Sequence, residues 1–339
     1  MALLYTDVDV LDLEWVPHLD PSTICHDLTE YINSADKNKI ALTIPAWESF
    51  LSPTYKQQLD ILSKASDKVF VFLSELWGNV DEIIHEDTHD NVYWLVPGAS
   101  NIKSTVLTWA DWFKTTSAVY KQLPEKLNEL NFSTAKPKYF DALLGYKKPH
   151  RDYIADSIVQ HDLQDKILLN YGIKKSFIFE PGTELLDPNY TDTATMVMYN
   201  GVKAKLSQII PLDIYNQTAY SMIAETVYLD SSSFFTEKTA KPLIARRLFV
   251  VFSGYKFLHN LRNLGFKTFG SVINESYDTL TNSSDRWSAA FDQVKYLCNQ
   301  DQQSILDAVK ETVDYNHNLI MDRNWTKWAA KKINEISRN

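Results

Sequence analysis

The sequence predicts an α/β protein built from two Rossmann-like, doubly wound domains facing a cleft, and three observations carry that reading. Short apolar runs rich in branched and aromatic residues recur along the chain, with the composition of strands buried on both faces. Stretches of helical spacing separate several of them, a βαβ rhythm that favours a parallel sheet. The chain is 339 residues long, about twice the usual size of one domain.

In chain order, KIALTIPA (39–46), KVFVFLSE (68–75) and NVYWLVPG (91–98) read as strands. Between the first two, residues 53–66 place Tyr55, Leu59 and Leu62 at helical spacing. Residues 104–123 read as a packing helix, with Ser104 as its cap and Trp109, Trp112 and Phe113 on it. The polar, proline-containing run NFSTAKPK (131–138) marks a domain boundary, giving a first domain over 1–133 and a second over 134–314. The second opens with strand 138–145, loop 146–151, helix 152–163 and strand 166–172. Later come strand 248–254 and helix 257–265, closed by Gly265. The last stretch, 315–339, contains an amphipathic run over 318–336 with Trp325, Trp328, Ala329, Ile333 and Ile336 near one face. It either caps the second domain or crosses back to the first.

Hydrophobic content of 45% and aromatic content of 13% exclude a disordered chain. Two distant cysteines, Cys25 and Cys298, fit neither a disulfide framework nor a zinc cage, and a reducing cytoplasm is the expected home. No leader pattern and no membrane-length apolar run occurs, so no membrane insertion is expected. A net charge of −9 argues against broad affinity for nucleic acid or anionic lipid. Residues 201–270 nonetheless hold nine Lys and Arg against four Asp and Glu, which suggests a compact anionic ligand.

Within that stretch FFTEKTAKPL (234–243) places an acid and a base side by side at a predicted helix start. Thr236 reads as the N-cap, Glu237 and Lys238 fall in the first turn, and Lys241 lies one turn below on the same side. A helix start offers backbone N–H groups and a positive dipole end, so an ammonium there points to a phosphorylated ligand. Arg151, where strand and loop give way to a helix in the same domain, is the expected second phosphate contact. Glu225 closes the apolar run of MIAETVY (222–228), where an unpaired charge is costly. Glu225 and Glu237 are candidates for recognising a ribose hydroxyl or a base, or else pair with a nearby lysine.

Metal chemistry is not expected. The triplet Asp7, Val8, Asp9 lies too near the N-terminus for a nucleotide-binding unit to precede it, and His85 and His89 stand in polar surroundings with no third ligand evident. No GxGxxG, GxxxxGK[ST] or GxSxG run occurs.

The order AET (224–226), FFTEK (234–238), KPL, strand, helix resembles the nucleotide-binding domain of fucosyltransferases of the GT-B fold. Those enzymes carry an acidic FEN-type motif followed by a YVTEK-type motif. The fuller run, with GFKTF (265–269), NESYD (274–278) and Arg286, is similar to uncharacterised glycosyltransferase-like proteins common in large phage and marine viral genomes. The resemblance covers mainly residues 138–290. It implies that Glu237 binds the ribose and Lys238 a phosphate of a nucleotide sugar, with Arg151 as the second basic contact. Phe234 stands where the fucosyltransferases have tyrosine, and Pro242 interrupts the helix after the motif.

On this resemblance the chain is a metal-independent inverting transferase with a GDP-sugar such as GDP-fucose as donor substrate, no cofactor, and a glycan acceptor. A modified DNA base is the alternative acceptor, and a non-catalytic nucleotide- or glycan-binding protein the alternative outside enzymes. The first domain would supply the general base, with Glu75, which follows the strand VFVFL (69–73), as first choice and Glu48, in PAWES, as second.

Overall fold

Branched and aromatic runs become parallel strands in both halves of the chain, alternating with helices. A computed structural model describes residues 2–7, 18–20, 22–44, 52–73, 89–101, 104–171, 180–187, 195–228 and 232–338. The chain divides into two compact units, Met1–Asp111 with Arg323–Asn339, and Trp112–Asp322.

The first unit contains β1 (Ala2–Thr6), β2 (Ser22–Cys25), α1 (Leu28–Asn33), β3 (Lys39–Thr43), α2 (Pro53–Ala65), β4 (Lys68–Phe72), β5 (Val92–Val96), β6 (Gly98–Ser100) and β7 (Val106–Thr108). Six of the strands pair in the order β2-β1-β3-β4-β5-β7, every pair parallel. Val69, Phe70 and Val71 of the inner strand β4 are fully buried, as a strand covered on both faces must be. The start of α2 is set by Ser52, whose hydroxyl accepts from the Tyr55 amide, and by Pro53 in the first turn; Tyr55, Leu59 and Leu62 form its buried side.

The C-terminal helix, Trp325–Arg338, belongs to this unit. Its Ala329, Ala330 and Ile333 join Leu4, Leu42, Phe70, Phe72, Leu95 and Trp109 in one core. It is separate from the preceding helix: residues 318–336 do not form one run, because the chain breaks at Arg323 and Asn324 and the Asn324 side chain accepts from the Lys327 amide as a fresh cap. Residues 104–110 also differ from the sequence reading. Val106–Thr108 extends the sheet as β7 rather than entering a helix, and Trp109 packs edge-on to Phe72 at 5.5 Å.

The second unit runs through α3 (Asp111–Gln122), α4 (Pro124–Asn128), β8 (Lys138–Gly145), α5 (Pro149–Gln160), β9 (Ile167–Tyr171), β10 (Thr183–Leu185), β11 (Met196–Tyr199), β12 (Val202–Lys205), α6 (Leu212–Gln217), β13 (Thr218–Ala224), β14 (Ser232–Phe234), α7 (Glu237–Ile244), β15 (Phe249–Phe252), α8 (Phe257–Asn263), α9 (Ser283–Leu297) and α10 (Gln302–Asp322). Residues 112–133 group with this unit: buried Phe113 meets Phe235 and Phe266, and the Tyr120 hydroxyl accepts from the Ile210 amide. Strands β15-β13-β8-β9 form a parallel sheet in that order. A separate antiparallel meander, β10-β11-β12, turns at Asn200 and Gly201, both with positive φ, the backbone a two-residue hairpin requires.

Glu180 sits just before the meander, almost fully buried, and accepts from the Leu212 amide. Burial, followed by the nearby charge of Asp213, raises its pKa to about 7. The unfolded chain loses this proton first, so the stability it contributes is complete below pH 4.5 and is lost as pH rises through 7. Glu180→Gln is therefore expected to stabilise the protein at about pH 8 by up to ~3 kcal/mol while changing little near the unfolded pKa. Urea melts at the two pH values measure the difference, and equal shifts at both would contradict the assignment.

Candidate functional site

In the second unit β8 lies between β9 and β13. The chain leaves β8 through α5 to β9 on one side, returns as β13 on the other, and continues to β15. Connections thus depart in opposite senses from neighbouring strands β8 and β13. In open α/β sheets ligands bind outside the carboxyl ends of such a pair, at the helix N-termini that follow. Here those ends are Gly145 and Ala224, and the residues after them carry the charges of the site.

After β8 the chain turns at Gly145, whose φ is +63°. A side chain there would be strained in this conformation, and its Cβ would lie 3.6 Å from the Arg151 Nη1. The helix begins at Pro149, three residues earlier than the sequence suggests, because proline is favoured in a first turn where its missing N–H is not needed. Arg151 therefore lies within the first turn and is buried. Its Nη1 donates to the Tyr146 carbonyl at 2.8 Å and its Nη2 to the Ala224 carbonyl at 3.3 Å, while Nε has no hydrogen-bond partner. The guanidinium thus bridges the segments that follow the two strands.

After β13, Glu225 is completely buried. One carboxylate oxygen accepts from the Thr236 amide at 3.2 Å and the Thr239 hydroxyl at 2.6 Å. The other accepts from the Thr236 hydroxyl at 2.7 Å and the Thr226 amide at 3.2 Å. Burial raises its pKa, opposed by Lys238 and the two threonine hydroxyls. In this arrangement the carboxylate has no face toward solvent, and it ties the end of β13 to the start of α7.

Helix α7 starts at Glu237, with Thr236 as the N-cap accepting from the Lys238 amide. The Glu237 amide meets its own carboxylate, and the Thr236 carbonyl takes the amides of Thr239 and Ala240. The first-turn amides are thus satisfied internally, so the dipole and the lysines are what this helix end offers an anion. Lys238 Nζ donates to Glu237 at 2.8 Å and to the Thr226 hydroxyl at 3.3 Å, with about a quarter of its side chain exposed. Burial would raise the Glu237 carboxyl, but Lys238 and Lys241 outweigh it and hold the group below the usual range. Burial lowers the Lys241 ammonium, against the pull of Glu237.

The structure thus gathers Arg151, Glu225, Thr236, Glu237, Lys238 and Lys241 around the two strand ends. Phe234 is buried, and its neighbour Phe235 packs on Phe257 at 5.0 Å, so this pair anchors the motif. Arg286 is also buried, donating to the carbonyls of Ser253, Leu280 and Thr281. Glu75 and Glu48 lie outside the described residues, as do His85 and Asp9. Of the partners named with those last two, His89 meets Ser63 and Asp60, and Asp7 accepts from the Thr43 hydroxyl. Among the described residues no group of three or more His, Cys, Asp or Glu is placed to hold a metal ion.

Two contributors escape sequence reasoning. His150 is fully buried, donates through Nε2 to the Glu225 carbonyl at 2.9 Å and stacks on Tyr228 with ring centres 4.5 Å apart. Burial and then Arg151 lower its pKa to about 3, so it is neutral here. Lys148 donates to the Thr226 carbonyl at 2.7 Å. Both lie in KKPHR, which reads as a basic turn because burial leaves no mark on the sequence. Compared with known proteins, the sequence matches no family model, and no curated protein shows significant similarity to it. Among the described residues no helix is long and apolar enough to cross a membrane.

Proposed function

We propose that this chain is a glycosyltransferase of the GT-B type whose second unit holds the diphosphate of a nucleotide sugar, a GDP-sugar such as GDP-fucose, for transfer to a glycan acceptor. The observation that carries the reading is the convergence of Arg151, Lys238 and Lys241 on the residues after β8 and β13, where the connections of a parallel sheet depart in opposite senses. The likeness of AET…FFTEK to the fucosyltransferase motifs supplies the choice of ligand.

In such a transfer a base takes the proton of an acceptor hydroxyl, the hydroxyl oxygen bonds to the anomeric carbon, and the bond from that carbon to the phosphate oxygen breaks. Negative charge then grows on the departing nucleoside diphosphate. Lys238 is exposed enough to meet it, and Arg151 adds its charge from beneath, held in place by two carbonyls. Glu237, already paired to Lys238, is the group suited to a ribose hydroxyl beside the phosphates. Glu75 and Glu48 remain the candidates for the base.

A thermal-shift screen of nucleoside diphosphates and nucleotide sugars tests the ligand class, because a ligand of the folded state raises the melting temperature by mass action. Lys238→Ala should weaken GDP binding by about 1.5 to 3 kcal/mol, the range for a hydrogen bond to a charged group. Unchanged affinity in calorimetry would count against the assignment. Binding without turnover of any nucleotide sugar would instead favour a non-catalytic binding protein.

A further inference from the structure

Adjacent lysines in the loop between β8 and α5 have different environments. Lys147 is exposed, whereas Lys148 is half-buried with its ammonium on the Thr226 carbonyl at 2.7 Å and 6.0 Å from the centre of the Tyr228 ring. The charges facing it come from three elements: Arg151 on α5, Lys238 on α7 and Glu225 after β13. Thr226 links it to the motif directly, since the carbonyl of that residue receives Lys148 and its hydroxyl receives Lys238. The neighbouring Arg151, more than nine-tenths buried, keeps one N–H, at Nε, without a partner.

An ammonium drawn from water beside two other cations is held against both desolvation and repulsion, and a neutral carbonyl compensates for this only in part. A phosphate oxygen is the stronger partner, because both members of the hydrogen bond are then charged. We propose that Lys148 is a third phosphate-binding cation of this site, moving from the Thr226 carbonyl to the diphosphate of the ligand. This rests on the nucleotide-diphosphate reading above. It also deepens that reading: with Lys148 charged, four cations (Lys148, Arg151, Lys238, Lys241) stand against two carboxylates (Glu225, Glu237), an excess suited to a doubly charged ligand.

The position has a pH consequence. Burial, then Arg151 and Lys238, lower the Lys148 pKa to about 8. A bound phosphate pushes it back up, so above that pH ligand binding takes up a proton and affinity falls as pH rises.

Calorimetric titration of the full chain with GDP, in buffers of different ionisation enthalpy at about pH 7.5 and 9, measures both effects. With the Lys148 charge worth about tenfold, the unaltered protein should bind about fourfold more weakly at the higher pH and take up about 0.4 of a proton there. Lys148→Met should bind about tenfold more weakly at the lower pH, as expected for loss of one charged contact, and lose the proton uptake. Lys148→Arg keeps the charge without titrating, so it should bind well at both pH values; it carries the test if the methionine variant does not fold. Ionisation of GDP itself is common to all three proteins and cancels. If both variants keep the affinity and pH slope of the unaltered protein while Lys238→Ala weakens binding, the role of Lys148 is overturned and the phosphate site stands. If the unaltered protein binds neither GDP nor inorganic pyrophosphate, both fall together.

Discussion

Arg247→Met is expected to destabilise the protein by about 3 to 5 kcal/mol, the cost of leaving a buried charge without its partner. Arg247 lies in the basic stretch that points to an anionic ligand, yet its guanidinium is inside the second unit. Nη2 donates to Asp141 at 2.8 Å, to the Thr218 hydroxyl at 2.9 Å and to the Tyr220 carbonyl at 2.8 Å. Nη1 takes the carbonyls of Tyr215 and Thr218, Nε takes the Ser221 hydroxyl, and the group lies 4.0 Å from the centre of the Tyr215 ring. Asp141 is on β8 while Thr218, Tyr220 and Ser221 are on β13, so one side chain joins the two strands whose carboxyl ends carry the site. Removing it leaves Asp141 with only the hydroxyls of Thr218 and Ser221 in a place where burial already raises its pKa. Urea denaturation measures the loss. The double variant Arg247→Met with Asp141→Leu should recover much of it, since neither charge then remains buried. A single-variant loss below about 1 kcal/mol would mean that the pair is not what joins these strands.

Arg247 also shows where sequence reasoning stops. The nine basic residues of 201–270 suggest one electropositive site; Lys238 and Lys241 act on Glu237 within it, while several of the others are engaged elsewhere. Arg246 pairs with Asp314, Arg262 with Glu275, and Lys205 and Lys267 lie over Trp112 and Tyr315. A charge count records sign and not direction. Local signals fare better: the Thr236 cap, the helix start at Glu237 and strand 138–145 are all legible, because each is fixed by neighbouring residues. Burial is decided by distant parts of the chain, which is why KKPHR hides both Lys148 and His150. The Asn200-Gly201 hairpin is a different case, since that dipeptide is a strong local sign of a two-residue turn and the meander could have been read from it. Val106–Thr108 fails for the opposite reason, as three branched or apolar residues ahead of a helix suit either a first turn or a short edge strand.

Glu225→Gln is expected to lower stability and GDP affinity together, which separates a residue that shapes the site from one that touches the ligand. The two side chains are nearly the same size, so packing changes little. The chemistry changes more: each carboxylate oxygen accepts from two donors, and glutamine replaces one of those oxygens with an NH₂ group. Whichever way the amide turns, two buried donors face another donor. At about 1 to 3 kcal/mol for each unsatisfied group, the loss is roughly 2 to 6 kcal/mol, less whatever the threonine hydroxyls recover by rotating. The same bonds hold Thr226 and the start of α7 in register, and Thr226 receives Lys148 and Lys238. Loosening them should therefore weaken diphosphate binding without any direct contact being lost. The melting temperature and the GDP affinity of the variant test this jointly. A fall in affinity at unchanged stability would instead place the Glu225 carboxylate on the ribose or the base, and would require this loop to rearrange when the ligand enters.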